Sequence, residues 1–289
     1  MKLGLMPTYR SSIVADPDYA VSLAQAAESA GCESIWAVEH VVVPSSYKSR
    51  YPYSEDGRMG LTGDEAIPDP VDWLAFVAGV TTNLRLGTGM IILPEHNPVI
   101  LAKRLATVDA LSRGRMMVGI GVGWLREEAE AVGVPFEARG LRSDEYIAAM
   151  RQLWREGPAS YTGDFVRFES VKSYPKPAQP GGVPVIVGGS SPAAARRAGR
   201  LGDGFFPIGL GPEDLAPVID TMRGAAKEAG RDPASIEITV NATMNLDRAR
   251  QYAELGATRM VASARGQSDV DDVVRMLDEL QDRVVSKLG

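Results

Sequence analysis

A short apolar run followed by a capped helical segment recurs eight times along this chain, and that alternation constrains the fold more than any other feature. The apolar runs are Lys2–Met6, Ser34–Val38, Leu84–Ile92, Arg115–Gly123, Val183–Gly189, Asp203–Ile208, Ser235–Asn241 and Thr258–Ala262. Four helices open on a capping residue and a proline, at Asp16-Pro17, Asp69-Pro70, Asn97-Pro98 and Ser191-Pro192. There the side chain accepts free N–H groups and the proline needs no donor of its own. The first helix stops at Gly31, and the others are expected over Leu141–Arg155, Glu213–Ala229, Leu246–Leu255 and Ser268–Lys287. Strands separated by helices must run parallel with right-handed crossovers. Eight such units close most economically into an α/β (β/α)8 TIM barrel, expected here as a single domain over residues 1–289. The rival is an open doubly wound sheet, which favours a phosphate loop after the first strand. LGLMPTYRSS lacks G-x-G-x-x-G, and Trp124 takes the third glycine's slot after Gly119 and Gly121.

Two connections are longer than a plain barrel needs. Val41–Pro68 follows the second strand, so it lies at the C-terminal mouth and reads as a lid. Gly157–Gly182 follows a helix, so its base lies on the opposite face. Its ASYTGDFVRFES segment reads as a hairpin turned at Thr162-Gly163-Asp164.

The fourth strand, RMMVGIGVG, has an unusual inner face. Met116, Val118, Ile120 and Val122 make one side, suited to packing under helices, and Met117, Gly119, Gly121 and Gly123 make the other. Gly87 and Gly89 share a face of the third strand, and the fifth ends in Gly188-Gly189. Side chains are thus lost toward the mouth on three strands, which predicts a slot for a flat, polar-edged ring; tight strand packing is the alternative. Gly188-Gly189-Ser190-Ser191 precedes a helix, where free N–H groups and the helix dipole suit a phosphate.

The chain has only two histidines, and both follow barrel strands at the catalytic face. His40 is the stronger acid–base candidate, with Glu39 beside it as a partner. His96 and Trp124 are candidates for the substrate pocket, against solvated and core-anchoring roles respectively.

Two histidines and one cysteine, Cys32, are too few for a hydrolase metal centre or a structural zinc site. A Schiff-base aldolase needs a lysine at a strand's C-terminal end, and none stands there; no G-x-S-x-G elbow occurs. The net charge of −6 argues against a nucleic-acid surface. No apolar run reaches membrane-spanning length, and MKLGLMP is too short and lightly apolar for a signal peptide, so a cytoplasmic protein is expected. So few acid–base groups point to chemistry supplied by a cofactor.

LGTGMII, NPVILAKRLATVDALSRGRMMVGIGVGW, VPVIVGG and AGRLGDGFF together resemble the luciferase-like monooxygenase superfamily, closest to its actinobacterial branch of F420-dependent oxidoreductases. The resemblance runs from LGLMP to the last helix. It implies a barrel that holds the deazaflavin F420, or FMN, at its mouth for oxidoreductase chemistry on a small-molecule substrate. It also implies a non-proline cis peptide at Gly89–Met90 supporting the ring, His40 near the ring, and Gly188, Gly189 and Ser190 at the phosphate. A homodimer, and a separate coenzyme reductase for an FMN monooxygenase, are further expectations. F420-dependent sugar-phosphate dehydrogenases of this superfamily carry a glutamate where this chain has Trp124, so that reaction is not expected here. A non-catalytic cofactor-binding paralogue and a cofactor-free barrel lyase or isomerase are the rival classes. Lys48, Arg50 and Arg58 in the lid could meet an acidic cofactor tail.

Overall fold

Asp16, Asp69, Asn97 and Ser191 each accept N–H groups of the first turn they precede, and the helices start where the sequence places them. The computed structural model describes residues 1–264 and 266–288. Its strands are β1 (Lys2–Met6), β2 (Ser34–Ala37), β3 (Arg85–Thr88), β4 (Ile91–Ile92), β5 (Met116–Gly121), β6 (Ala159–Thr162), β7 (Arg167–Val171), β8 (Val185–Gly188), β9 (Gly204–Phe206), β10 (Glu237–Asn241) and β11 (Ala257–Ser263). The helices are α1 (Pro17–Ser29), α2 (Pro70–Ala78), α3 (Pro98–Leu111), α4 (Arg126–Ala131), α5 (Arg139–Trp154), α6 (Pro192–Leu201), α7 (Pro212–Glu228), α8 (Leu246–Glu254) and α9 (Val270–Arg283).

Strands β1, β2, β3, β5, β8, β9, β10 and β11 are parallel neighbours in that order, and β11 pairs back onto β1. Pairing of β3 with β5 completes the closed (β/α)8 barrel. The expected strand Leu84–Ile92 is two pieces, β3 and β4, separated by a cis peptide between Gly89 and Met90. The short helix α4 was not expected, and the last helix ends at Arg283, after which Val284 leaves helical geometry. Strands β6 and β7 form the expected hairpin. Its turn is held against α5, where Glu145 accepts the N–H groups of Asp164, Phe165 and Val166. The hairpin contributes no residue to the cavity described below.

Two apolar layers result. Met116, Val118 and Ile120 join the large core between strands and helices, whereas Met117 faces the lumen with Trp36, Ile186, Phe206 and Val261. Trp36 fills the barrel's width. A Cβ on Gly87 would stand 2.6 Å from its indole and one on Gly4 2.9 Å from its Nε1, so those strands are bare to admit the ring. Beneath Trp36, the fully buried Arg259 forks onto Glu33 at 2.9 and 2.8 Å and donates to Glu237 and Thr239. Indole and ion network close the N-terminal end, which leaves the opposite mouth as the open one.

Candidate active site at the barrel mouth

A cavity of about 1430 Å³ occupies the C-terminal mouth. That exceeds the roughly 300–1,000 Å³ of an ordinary small-ligand pocket and suits a cofactor with a second molecule. The walls come from the ends of β1, β2, β4, β5, β8, β9, β10 and β11 and the residues just after them, and the roof from the lid.

The glycines do not all serve the cavity. At Gly119 a Cβ would stand 2.0 Å from the Thr88 carbonyl oxygen and 2.7 Å from Met90 Sδ; at Gly188 it would stand 2.7 Å from Met90 Cγ. These two glycines make room for Met90 and the backbone before it, which corrects the expectation that the face beside Gly119 is bare for a ring. Gly121 differs, since its nearest neighbours would lie at 3.6 and 3.9 Å and it opens into the cavity. Gly89 and Met90 line the cavity beside it, so the outer surface of Met90 is part of the wall.

On the far wall, Gly189 adopts φ +102°, and its N–H is committed to the Phe206 carbonyl at 3.3 Å. The Ser190 hydroxyl donates to the Ile208 carbonyl at 2.5 Å. Among the described residues, the N–H groups of Ser190, Ser191 and Ala193 keep no partner within the chain, so the anion-seeking donors start one residue later than the glycine pair suggested. Two guanidiniums missed in the sequence join them. Arg197 is buried and paired with Asp144, and it donates to the Gly140 carbonyl at 3.0 Å. Arg139 donates to the Gly123 carbonyl at 3.1 Å and stacks 3.8 Å over the Phe136 ring. Burial first, and Arg126 second, lower its pKa from the ordinary guanidinium value, with Glu137 opposing them by less, so an anion here would favour the charged guanidinium. No local motif marks these arginines; the two helices that carry them, α5 and α6, meet at the mouth only through the barrel's closure.

His40 lines the cavity, with Trp124 edge-on at 6.2 Å between ring centres. The expected pairing with Glu39 is not formed. His40 Nδ1 lies 2.8 Å from Glu128 Oε2, while Glu39 accepts the Ile92 N–H at 2.5 Å and meets His96 Nε2 at 2.9 Å. Successive residues leaving an extended strand diverge, so each finds a partner from another element. His96 thus turns toward Glu39 and does not line the cavity, contrary to the expected substrate-pocket role. Glu95 completes the acidic group. Burial first, then repulsion from Glu128 and Glu39, push its carboxyl up to about 8. Among the described residues no group of three or more His, Cys, Asp or Glu side chains could hold a metal ion, and no helix is long and apolar enough to cross a membrane.

The lid is fastened at its root. Glu127 accepts the Lys48 N–H at 2.6 Å, the Ser49 N–H and the Ser49 hydroxyl. Tyr47 and Tyr51 pack edge-on against Trp124, Tyr51 meets Tyr53, and the Tyr53 hydroxyl reaches toward Gly189. An aromatic roof therefore spans the mouth. Arg50 borders the cavity, whereas Arg58 lies over the Tyr47 ring at 5.1 Å and Lys48 is not among the lining residues.

The model of the luciferase-like monooxygenase family matches residues 1–283. The chain belongs to that family. An uncharacterized protein of Mycobacterium tuberculosis is 32% identical over 266 residues, 89% of this chain and 90% of its own length. The F420-dependent glucose-6-phosphate dehydrogenase of Kineococcus radiotolerans is 30% identical over 284 residues, 93% of this chain and 77% of its own length. The fold is shared with the coenzyme F420-dependent tetrahydromethanopterin reductase of Methanopyrus kandleri, with a TM-score of 0.78, 16% identity and coverage of 100% and 99% of the two chains.

Proposed function

We propose that this luciferase-like protein is an oxidoreductase that binds F420 at the barrel mouth and acts on a small organic molecule beside it. The observation that carries this reading is the pairing of two features in one cavity. One is the open backbone at Gly121 next to Met90, room for a flat ring; the other is the set of free N–H groups at the start of α6 with Arg139 and Arg197, a seat for a phosphate. The residues present fit such a group. When bound, a deazaflavin supplies a ring carbon that accepts or gives up hydride.

The chain's own groups divide the remaining work. Gly121, Met90 and Ile92 would flank the ring, and Ser190, Ser191, Ala193, Arg139 and Arg197 would hold the tail. His40, at the cavity surface, would take or return the substrate's proton. Trp124 and the tyrosine roof would exclude water and shape the substrate's space. The relative named F420-dependent glucose-6-phosphate dehydrogenase supports F420 more than that substrate, because the family resemblance implies a glutamate at the position this chain fills with Trp124. A second reading, an FMN-dependent monooxygenase, is favoured by the family's description and by the same phosphate seat; it would need a coenzyme reductase as partner. We also propose a homodimer, supported by exposed Phe76, Ile100 and Leu111 on α2 and α3.

Calorimetric titration of cofactor-free protein with F420 and, separately, FMN tests the reading. Tight F420 binding with weak FMN binding is the expected result. The reverse would select the monooxygenase, and binding of neither would overturn both. Turnover by purified protein would exclude the non-catalytic paralogue.

A further inference from the structure

The side chain of Glu128 is fully inaccessible, and no lysine or arginine pairs with it among the described residues. Its partners are three nitrogens around the start of the lid. Oε1 accepts the N–H of Val41 at 2.7 Å and of Val42 at 3.3 Å, and Oε2 faces His40 Nδ1 at 2.8 Å. A neutral imidazole has one donor nitrogen and one acceptor nitrogen. With an acceptor-only carboxylate 2.8 Å from Nδ1, the tautomer protonated at Nε2 would set two lone pairs against each other at a carboxylate that no solvent reaches. The other tautomer makes a charge-assisted bond. Among the described residues, Nε2 has no hydrogen-bond partner in the chain.

The geometry points to Glu128 as the positioning residue of this site: it holds neutral His40 as the Nδ1–H tautomer and leaves Nε2 bare as a proton acceptor at the cavity. The same carboxylate anchors the first two lid residues, so the root of the lid and the ring of His40 share one support. Neutral Glu95 nearby is consistent with this, because it leaves one fewer negative charge beside Glu128. The use of the proton rests on the function proposed above; the tautomer does not.

The test is nitrogen-15 NMR of the histidine rings in the full chain without added cofactor, at a pH where His40 is neutral. With only two histidines, His96→Gln assigns both sets of signals. Wild-type His40 is expected to show a protonated Nδ1, slow to exchange, and a bare Nε2. In Glu128→Gln the amide oxygen keeps the Val41 and Val42 N–H groups, so its NH₂ faces Nδ1, and the proton is expected to move to Nε2. Wild-type protein with the proton on Nε2, or a Glu128→Gln spectrum that keeps it on Nδ1, would overturn the inference. Should that variant not fold, the wild-type spectrum still decides, since a rapidly exchanging or absent Nδ1 proton overturns it. An Nδ1–H tautomer in a protein that binds neither cofactor would leave this inference standing while removing the proposed function.

Discussion

Met90 Sδ lies 2.7 Å from the point where a Cβ on Gly119 would stand, and Met90 Cγ lies 2.7 Å from the corresponding point on Gly188. One side chain therefore accounts for two of the glycines that make the strand ends look empty. At Gly121, two residues further along β5, a Cβ would make only ordinary contacts, at 3.6 Å to Met90 Cβ and 3.9 Å to the Ile91 carbonyl oxygen.

This division predicts opposite effects of one substitution. Gly119→Ala drives a methyl into the Thr88 carbonyl, which as backbone cannot swing away. Its cost is expected at the upper end of overpacking, about 3 kcal/mol or more. Gly121→Ala has room and should unfold at nearly the wild-type denaturant midpoint while weakening cofactor binding. Urea melts and titrations of both variants separate the two roles. Equal stabilities would show that the packing around Met90 and the Thr88 carbonyl yields to an added methyl.

Glu95 sets a pH dependence of stability. Its folded pKa of about 8 lies above its ordinary value of 4.5. Below the ordinary value both states hold the proton. As pH rises from there toward 8, the unfolded chain releases it first, so stability falls across that window and levels off above it. Glu95→Gln keeps the shape and removes the titration. It is expected to raise the melting temperature at pH 8.5 by a few degrees, at roughly 2–4 °C per kcal/mol for a domain of this size. At pH 5 the change should be small. Scanning calorimetry at the two pH values measures the difference.

Arg139 should discriminate phosphorylated from unphosphorylated flavins. A hydrogen bond to a charged group contributes roughly 1.5–3 kcal/mol, so Arg139→Ala is expected to weaken FMN at least tenfold. Riboflavin, the same ring without phosphate, should bind nearly as before. Equal losses for both ligands would place Arg139 away from the phosphate.

Trp124 reports the cavity. Trp73 and Trp154 are buried in the outer core and Trp36 lies beneath the cavity floor, so Trp124, the one tryptophan lining the cavity, should give the largest share of ligand-induced quenching of protein fluorescence. Trp124→Phe is expected to lose most of that quenching while keeping the fold by circular dichroism. Undiminished quenching would mean that the ligand enters away from the lid.

Glu127 holds the lid root through three hydrogen bonds, from the Lys48 N–H, the Ser49 N–H and the Ser49 hydroxyl. Glu127→Ala removes all three acceptor contacts and should speed limited proteolysis between residues 43 and 60 severalfold, leaving the global melting temperature within about 1–2 °C, as a surface change costs roughly 0.5 kcal/mol. Cleavage at the wild-type rate would show the tyrosine roof alone to secure the lid.

Much of the architecture was determined by short-range signals in the sequence. Asp16, Asp69, Asn97 and Ser191 cap their helices through contacts two or three residues away, and the period of Met116, Val118 and Ile120 assigns a face without knowledge of its neighbour. The barrel, its open mouth and the placement of His40 and Trp124 there follow from such local rules. The tertiary structure alone decided which partners meet. His40 pairs with Glu128, 88 positions away, and not with the adjacent Glu39. Met90 takes the space of Gly119 and Gly188, and Arg139, at the start of α5, reaches the cavity wall that Arg197 of α6 also lines, with no motif to announce either. The reason is physical: caps and periodicity depend on backbone geometry within a turn, whereas a hydrogen-bond partner or a filled gap depends on how distant segments converge, and closing the barrel is what brings them together.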